Sequence, residues 1–257
     1  MRTVTAVAHR GAPYRHRENT LDSLRAGLEL GADAVEFDVR TTRDGVPVLL
    51  HDSTLNRLWE LDRPLAALSA AELRGLTADG VPTLADALLA TRDSRVMVDL
   101  PGAVSPRAVR QILDVVREYE AEDRVYYSAD PPTMLAVRAA APTAEIALTW
   151  KTLAPPRPAL LDAIRPRWLN YRFGLVTRAL ADRVHRDGYL LSVWTPDTRR
   201  SMSRLMDLGV DSITTNRVDA LCALRKSWTG PGKGREEPRE QHSSTDHPTT
   251  EHYTSDR

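Results

Sequence analysis

The chain has 257 residues, 42% of them hydrophobic, which is enough for a sizeable core in one domain of the length common among α/β barrels. Its 35 basic and 35 acidic residues cancel to a formal net charge of +0, so it lacks the global field that draws proteins to nucleic acid or to anionic membranes. The single cysteine, Cys222, excludes an internal disulfide and a cysteine-rich zinc site.

In chain order, short apolar, β-branched runs alternate with helical patterns. The first, residues 3–9, reaches His9 too soon to act as a signal peptide, and no run is long enough to span a bilayer. The expectation is therefore a soluble, cytoplasmic protein without stable membrane insertion. Residues 19–31 place Leu21, Leu24 and Leu28 at helical spacing before Gly31. Strand-like runs follow at 34–39 and 47–51, separated by a turn signal at Asp44-Gly45 and no helix. That leaves 47–51 either as a hairpin partner or as the end of an extended return. Residues 53–94 form an excursion with helical content at 69–75 and 83–91.

Further strands are expected at 95–100, 124–129, 145–150, 168–173, 189–195 and 211–215, with helices at 106–119, 131–141, 177–187 and 198–208. Repeated strand–helix units imply a parallel sheet, open or closed. The nine strand candidates exceed by one what a (β/α)₈ barrel needs. From residue 229 to 257 the chain is polar, with one aromatic residue, and is expected to be a disordered tail whose His242, His247 and His252 are solvated. The predicted domains are 1–228, folded, and 229–257, tail.

Residues two apart on a strand share a face, so Glu36 and Asp38 point the same way. Burying both is costly unless a cation or solvent relieves them. Other polar groups close neighbouring strands: His9 and Arg10, His51 and Asp52, Asp99, and Trp194. In a parallel barrel all these ends meet at one mouth. Oxygen ligands without cysteine suit one divalent cation, Mg²⁺ or Ca²⁺. A cation with an arginine suits a phosphate ester, and two imidazoles suit a displacement that needs one base and one acid.

The stretch AHRGAPYRHRENTLDSLRAGLELGADAVEFDVRTTRDGVPVLLHD, continued by VPTLADALL, VWTPDT and GVDSITTNRVD, resembles the glycerophosphodiester phosphodiesterases. The resemblance covers about residues 4–220. It implies a (β/α)₈ TIM barrel that cleaves a glycerophosphodiester to glycerol 3-phosphate and an alcohol with a divalent cation. It places the catalytic pair on His9 and His51, the metal ligands on Glu36, Asp38 and Asp99, and the phosphate contact on Arg10. Glu18, Asn19 and Trp194 take supporting positions.

The chain departs from that pattern at four places. Arg17 stands where proline is usual, and Asp99 where glutamate is, with a reach shorter by roughly 1.5 Å. Asn216 stands where aspartate is usual. Pro101 replaces a lysine and brings neither charge nor donor. The only lysines are Lys151, Lys226 and Lys233, so Lys151 or an arginine such as Arg172 is the expected replacement. Two rival readings are a lysophospholipase D or phospholipase D-like enzyme on lipid diesters, with Leu58, Trp59 and Leu61 lining a groove, and a non-catalytic phosphate-ester binder.

Overall fold

The computed structural model describes residues 3–228 and Gly230. Apart from Gly230, the predicted tail and its three histidines lie outside the described residues. Nine strands form among the described residues: β1 (Thr5–His9), β2 (Ala34–Thr41), β3 (Pro47–Leu49), β4 (Arg95–Asp99), β5 (Val125–Ala129), β6 (Glu145–Trp150), β7 (Trp168–Arg172), β8 (Leu190–Trp194) and β9 (Ser212–Thr215). Eight of them run parallel in the order β1-β9-β8-β7-β6-β5-β4-β2, and a β1–β2 pairing closes the ring. The ninth is β3, which pairs antiparallel with β2 outside the barrel, Val39 opposite Leu49 and Thr41 opposite Pro47. A hairpin needs no crossover, which explains why 42–46 carries a turn and no helix. The barrel option of the two sheet topologies is the one adopted.

The helices are α1 (Leu21–Glu29), α2 (Asn56–Trp59), α3 (Ala70–Thr77), α4 (Leu84–Ala90), α5 (Pro106–Glu118), α6 (Pro131–Ala140), α7 (Pro158–Ile164), α8 (Arg178–Arg186), α9 (Arg199–Asp207) and α10 (Val218–Ser227). Their starts are written in the sequence. Thr20, Ser69, Thr83, Ser105, Asp130, Thr177 and Thr198 each accept a backbone N–H from the first turn. Proline opens α5, α6 and α7, where no N–H is needed.

Two details differ from the sequence expectation. Helix α4 belongs to the barrel's outer ring, its Leu84, Ala87 and Leu88 packing into the main core, so the true excursion is shorter than 53–94. Helices α2, α7 and α10 were not anticipated: α2 is a single turn, prolines surround α7, and α10 runs on beyond the GVDSITTNRVD stretch, which ends at Asp219.

Three apolar clusters result. The main core joins the outward strand faces to the helix ring. A satellite core under the excursion includes Val48, Leu50, Leu55, Leu65 and Leu73. A small plug of Val7, Ala34, Met97, Tyr126, Ala147 and Trp168 fills the barrel's own lumen, with the Tyr126 and Trp168 rings stacked at 6.3 Å.

Candidate active site

One step above that plug, two residues further along each strand, the lumen turns polar. His9 follows Val7, Glu36 and Asp38 follow Ala34, Asp99 follows Met97, Ser128 follows Tyr126, and Asn170 follows Trp168. These side chains open into a cavity of about 420 Å³ at the C-terminal ends of the strands. The parallel register sets them level: His9 pairs with Glu36, and Asp38 with Asp99.

Glu36, Asp38 and Asp99 bring carboxylate oxygens within 4.8 Å of one another. Glu36 is 3% exposed and Asp38 1%, so solvent does not relieve their repulsion and a cation is left to do so. Burial, then the charges of Asp38 and Asp99, raises the Glu36 carboxyl well above its ordinary value. Burial, then Asp38, pushes Asp99 up to about 7. Protein donors already take one oxygen of two of these groups: the Arg10 N–H donates to Glu36 Oε2 at 2.8 Å, and Asn19 Nδ2 to Asp38 Oδ2 at 2.8 Å. The other oxygen of each has no protein donor among the described residues. The donor set is all oxygen, so these residues fit a hard divalent cation.

The chain bends sharply to supply those donors. Arg10 and Asn19 both sit in the left-handed backbone region, at φ 55° and 59°, conformations that cost a non-glycine residue about 1–3 kcal/mol. Arg10's backbone thereby aims its N–H at Glu36. Asn19 brackets Asp38, its Oδ1 accepting the Asp38 N–H at 3.1 Å. Gly11 follows at φ +86°, and a Cβ there would lie 2.3 Å from the Ser23 backbone, so only glycine lets the loop pass over α1.

The two histidines are held by different chemistry. His9 Nδ1 lies 2.7 Å from Asn216 Oδ1, and Asn216 Nδ2 donates to Asp197 Oδ2 at 2.7 Å. That second bond orients the amide with its oxygen toward His9, so Nδ1 carries the proton and Nε2 is bare. Burial, then the charge of Arg10, lowers the His9 pKa. His51 Nδ1 instead faces a carboxylate, Asp52 Oδ1, at 2.7 Å. Asp52 is held at a pKa of about 2, chiefly by the hydrogen bond from Arg57.

Arg57 links the two arms. Its Nη2 meets Glu18 at 2.7 Å and its Nε meets Asp52 at 2.6 Å. Arg10 in turn pairs with Glu18 at 2.7 Å and with Asp38 at 3.0 Å. A continuous chain of alternating charge thus runs from Asp38 through Arg10, Glu18, Arg57 and Asp52 to His51. Glu18 belongs to this chain and not to the carboxylate trio. Its carboxyl stays below the ordinary range because hydrogen bonds from Arg57 and Arg10 outweigh its burial.

Of the site residues expected from sequence, His9, Arg10, Glu36, Asp38, His51, Asp99 and Trp194 line this cavity, while Glu18 and Asn19 stand behind it against Arg10 and Asp38. Trp194 lines the cavity, and its Nε1, like Thr214 Oγ1, has no hydrogen-bond partner among the described residues. Lys151 also lines the cavity. Arg172 is exposed at the end of β7 and is not part of the lining. Leu58, Trp59 and Leu61 pack against the satellite core and do not line the cavity. Arg57 and Arg40 were missed. Nothing local in the sequence marks Arg57, which reaches Glu18 across 39 positions. Arg40 was legible, because it stands two residues beyond Asp38 on the same strand face.

The model of the Glycerophosphoryl diester phosphodiesterase family matches residues 9–220. A glycerophosphodiester phosphodiesterase of Caldanaerobacter subterraneus is 27% identical over 85% of this chain and 96% of its own length. A glycerophosphodiester phosphodiesterase of Bacillus altitudinis is also 27% identical, over 85% of this chain and 97% of its own. Among solved structures, a phosphodiesterase of Oleispira antarctica in complex with the product sn-glycerol-3-phosphate superposes with a TM-score of 0.80 at 19% identity, covering 87% of this chain and 97% of that one. The glycerophosphodiester phosphodiesterase of Thermotoga maritima gives a TM-score of 0.72 at 22% identity over 86% and 98% of the two chains.

Proposed function

Because the chain belongs to the glycerophosphoryl diester phosphodiesterase family, we propose that it hydrolyses a glycerophosphodiester to glycerol 3-phosphate and an alcohol with one divalent cation, Mg²⁺ or Ca²⁺. The observation that carries this reading is the pair of histidines in unlike hydrogen-bonding states lining one cavity that also holds three carboxylates. Glu36, Asp38 and Asp99 would hold the cation, which when bound supplies positive charge for a phosphoryl oxygen.

The chain's own groups divide the proton work. His9 presents a bare Nε2, its Nδ1–H being committed to Asn216, and a buried imidazole of lowered pKa stays neutral. It acts as the base, taking the proton of the attacking hydroxyl, which is either water or the substrate's own neighbouring hydroxyl. A P–O bond forms to that oxygen and the P–O bond to the departing alcohol breaks. His51 donates its Nε2 proton to the leaving alkoxide, while Asp52, kept ionised by Arg57, orients the ring and faces its positive charge. Where the nucleophile is the substrate's hydroxyl, the product is a cyclic phosphate. Water then opens it with the two histidines exchanging roles. Arg10 contacts the phosphate. Asn19 fixes Asp38, Glu18 fixes Arg10, and the Trp194 side chain walls the cavity in which the glycerol moiety would lie.

No helix among the described residues is long and apolar enough to cross a membrane. We place the reaction in the cytoplasm, on a small-molecule diester. The deciding experiment incubates the protein with glycerophosphocholine and millimolar Mg²⁺ or Ca²⁺. Release of glycerol 3-phosphate that EDTA abolishes and added cation restores is the expected result. Cation-dependent binding of the diester without product release would make the protein a phosphate-ester binder. Turnover of lysophosphatidylcholine in preference to the glycerol diester would move the substrate to lipid diesters.

A further inference from the structure

Of the two arginines that line the cavity, Arg10 and Arg40, only Arg40 has no carboxylate partner among the described residues. Arg10 is committed to two carboxylates, Glu18 and Asp38. Arg40 points into the same cavity from β2. Its Nε donates to the His51 backbone carbonyl at 2.7 Å, which anchors the guanidinium by one edge. Its two terminal nitrogens make no hydrogen bond or ion pair among the described residues.

The acids nearest to Arg40 act on it only at a distance. Asp38, Asp52 and Asp99 oppose the effect of its burial, which lowers its pKa from the ordinary guanidinium value, and the group remains a cation at any working pH. Asp38 is engaged by Arg10 and Asn19, Asp52 by Arg57 and His51, and Asp99 faces Glu36 and Asp38. A half-buried guanidinium with an unpaired edge is costly to hold in place, and an anionic oxygen is what satisfies it. The neighbouring wall supplies no competing donor. It is Pro101 and Gly102, and a Cβ built on Gly102 would lie 3.9 Å from Arg40 Nη2. The guanidinium therefore lies beside the Pro101–Gly102 segment of the cavity wall. Lys151, the third cation of the lining beside Arg10 and Arg40, is exposed.

Resting on the reading above, we propose that Arg40 is a second phosphate-contacting residue, whose terminal nitrogens bind a non-bridging oxygen of the diester and of the glycerol 3-phosphate product, supplying the charge that position 101 does not. One anchored edge and one open edge suit a planar fork for a phosphoryl group.

The test uses Arg40→Met, Arg40→Lys, Lys151→Met and the double variant Arg40→Met/Pro101→Lys, with circular dichroism and Tm as folding controls. Arg40→Met is expected to lower kcat/KM for glycerophosphocholine by about 10- to 100-fold and to weaken inhibition by glycerol 3-phosphate in parallel. Arg40→Lys is expected to lose less, Lys151→Met to stay within about threefold, and Pro101→Lys to restore part of the loss in the Arg40→Met background. A purely structural role through the His51 carbonyl would leave glycerol 3-phosphate inhibition unmoved. It would also vanish with a p-nitrophenyl leaving group, which needs no acid. Either result, or an Arg40→Met enzyme within twofold of wild type in both readouts, overturns the proposal. If the wild type shows no hydrolysis, the reaction assignment fails. Calorimetric binding of glycerol 3-phosphate to wild type and to Arg40→Met then still decides the role of Arg40: equal affinity overturns it, and weaker binding by the variant supports it.

Discussion

Met97 and Asp99 stand two residues apart on one strand and face one lumen, yet Met97 packs with Val7, Tyr126 and Trp168 while Asp99 faces Glu36 and Asp38. The same change recurs from Val7 to His9, from Ala34 to Glu36 and from Trp168 to Asn170. The lower layer excludes water and joins strands that are distant in sequence. The upper layer crowds like charges in a buried space, a local cost that a functional site can carry because the layer beneath it is well packed. Substitutions in the two layers should therefore separate into loss of stability and loss of turnover.

The largest contrast is expected between His9→Ala and Trp168→Ala. The first should lower kcat by about 10²–10⁴ with little change in Tm. The second should destabilise by about 3–5 kcal/mol, read by urea unfolding, while molecules that remain folded keep kcat within about tenfold of wild type. A His9→Ala protein that unfolds early, or a Trp168→Ala protein that is stable and inactive, would break the division.

The β4 pair sharpens it. Met97→Ala should cost about 2–5 kcal/mol. Asp99→Asn should raise the Tm of the cation-free protein, since it removes a buried repulsion, and should abolish most cation affinity by calorimetry. Loss of stability in both variants would place Asp99 in the structural layer.

A subtler effect follows from titration. Burial, then Asp38, lifts the Asp99 carboxyl from an ordinary 3.8 to about 7 in the folded protein. The folded state then holds a proton that the unfolded chain releases. That stability is fully present below about pH 4 and is lost as pH rises through about 7. The Tm of cation-free protein should accordingly fall by several degrees between pH 5 and 8, and a saturating divalent cation should raise Tm more at pH 8 than at pH 5. Scanning calorimetry at both pH values checks the sign, and a Tm that climbs with pH without cation would contradict it.

The smallest expected change is at Asn216. An aspartate there would face His9 with a charge in place of an amide and raise its pKa, so the acid limb of kcat/KM against pH should move up by about one unit or less.

Much of this architecture was legible from the chain. Period-two alternation placed Glu36 and Asp38 together, the strand ends gathered His9, His51 and Asp99 at one mouth, and Gly31 marked the end of the first helix. Pairing was harder to read. Whether 47–51 joins the ring or folds back depends on hydrogen bonds between strands, which the short spacing from β2 limits without deciding. Long-range charge was hardest. Arg57 binds Glu18 only because α2 folds over the first loop, and no local pattern encodes that approach. The strand position of Arg40 puts it on the face of Asp38, but no spacing in the chain shows that its guanidinium comes to lie beside the Pro101–Gly102 wall.

The central claim is that His9 works as base and His51 as acid, and a change of leaving group tests it most directly. kcat/KM would be measured for wild type, His9→Ala and His51→Ala with glycerophosphocholine and with a glycerol p-nitrophenyl phosphodiester, whose phenolate departs without a proton. The account predicts that His51→Ala loses about 10²–10⁴ on the choline ester and little on the nitrophenyl ester, while His9→Ala is impaired on both. Rescue of His9→Ala by the nitrophenyl substrate, with His51→Ala impaired on both, would reverse the assignment.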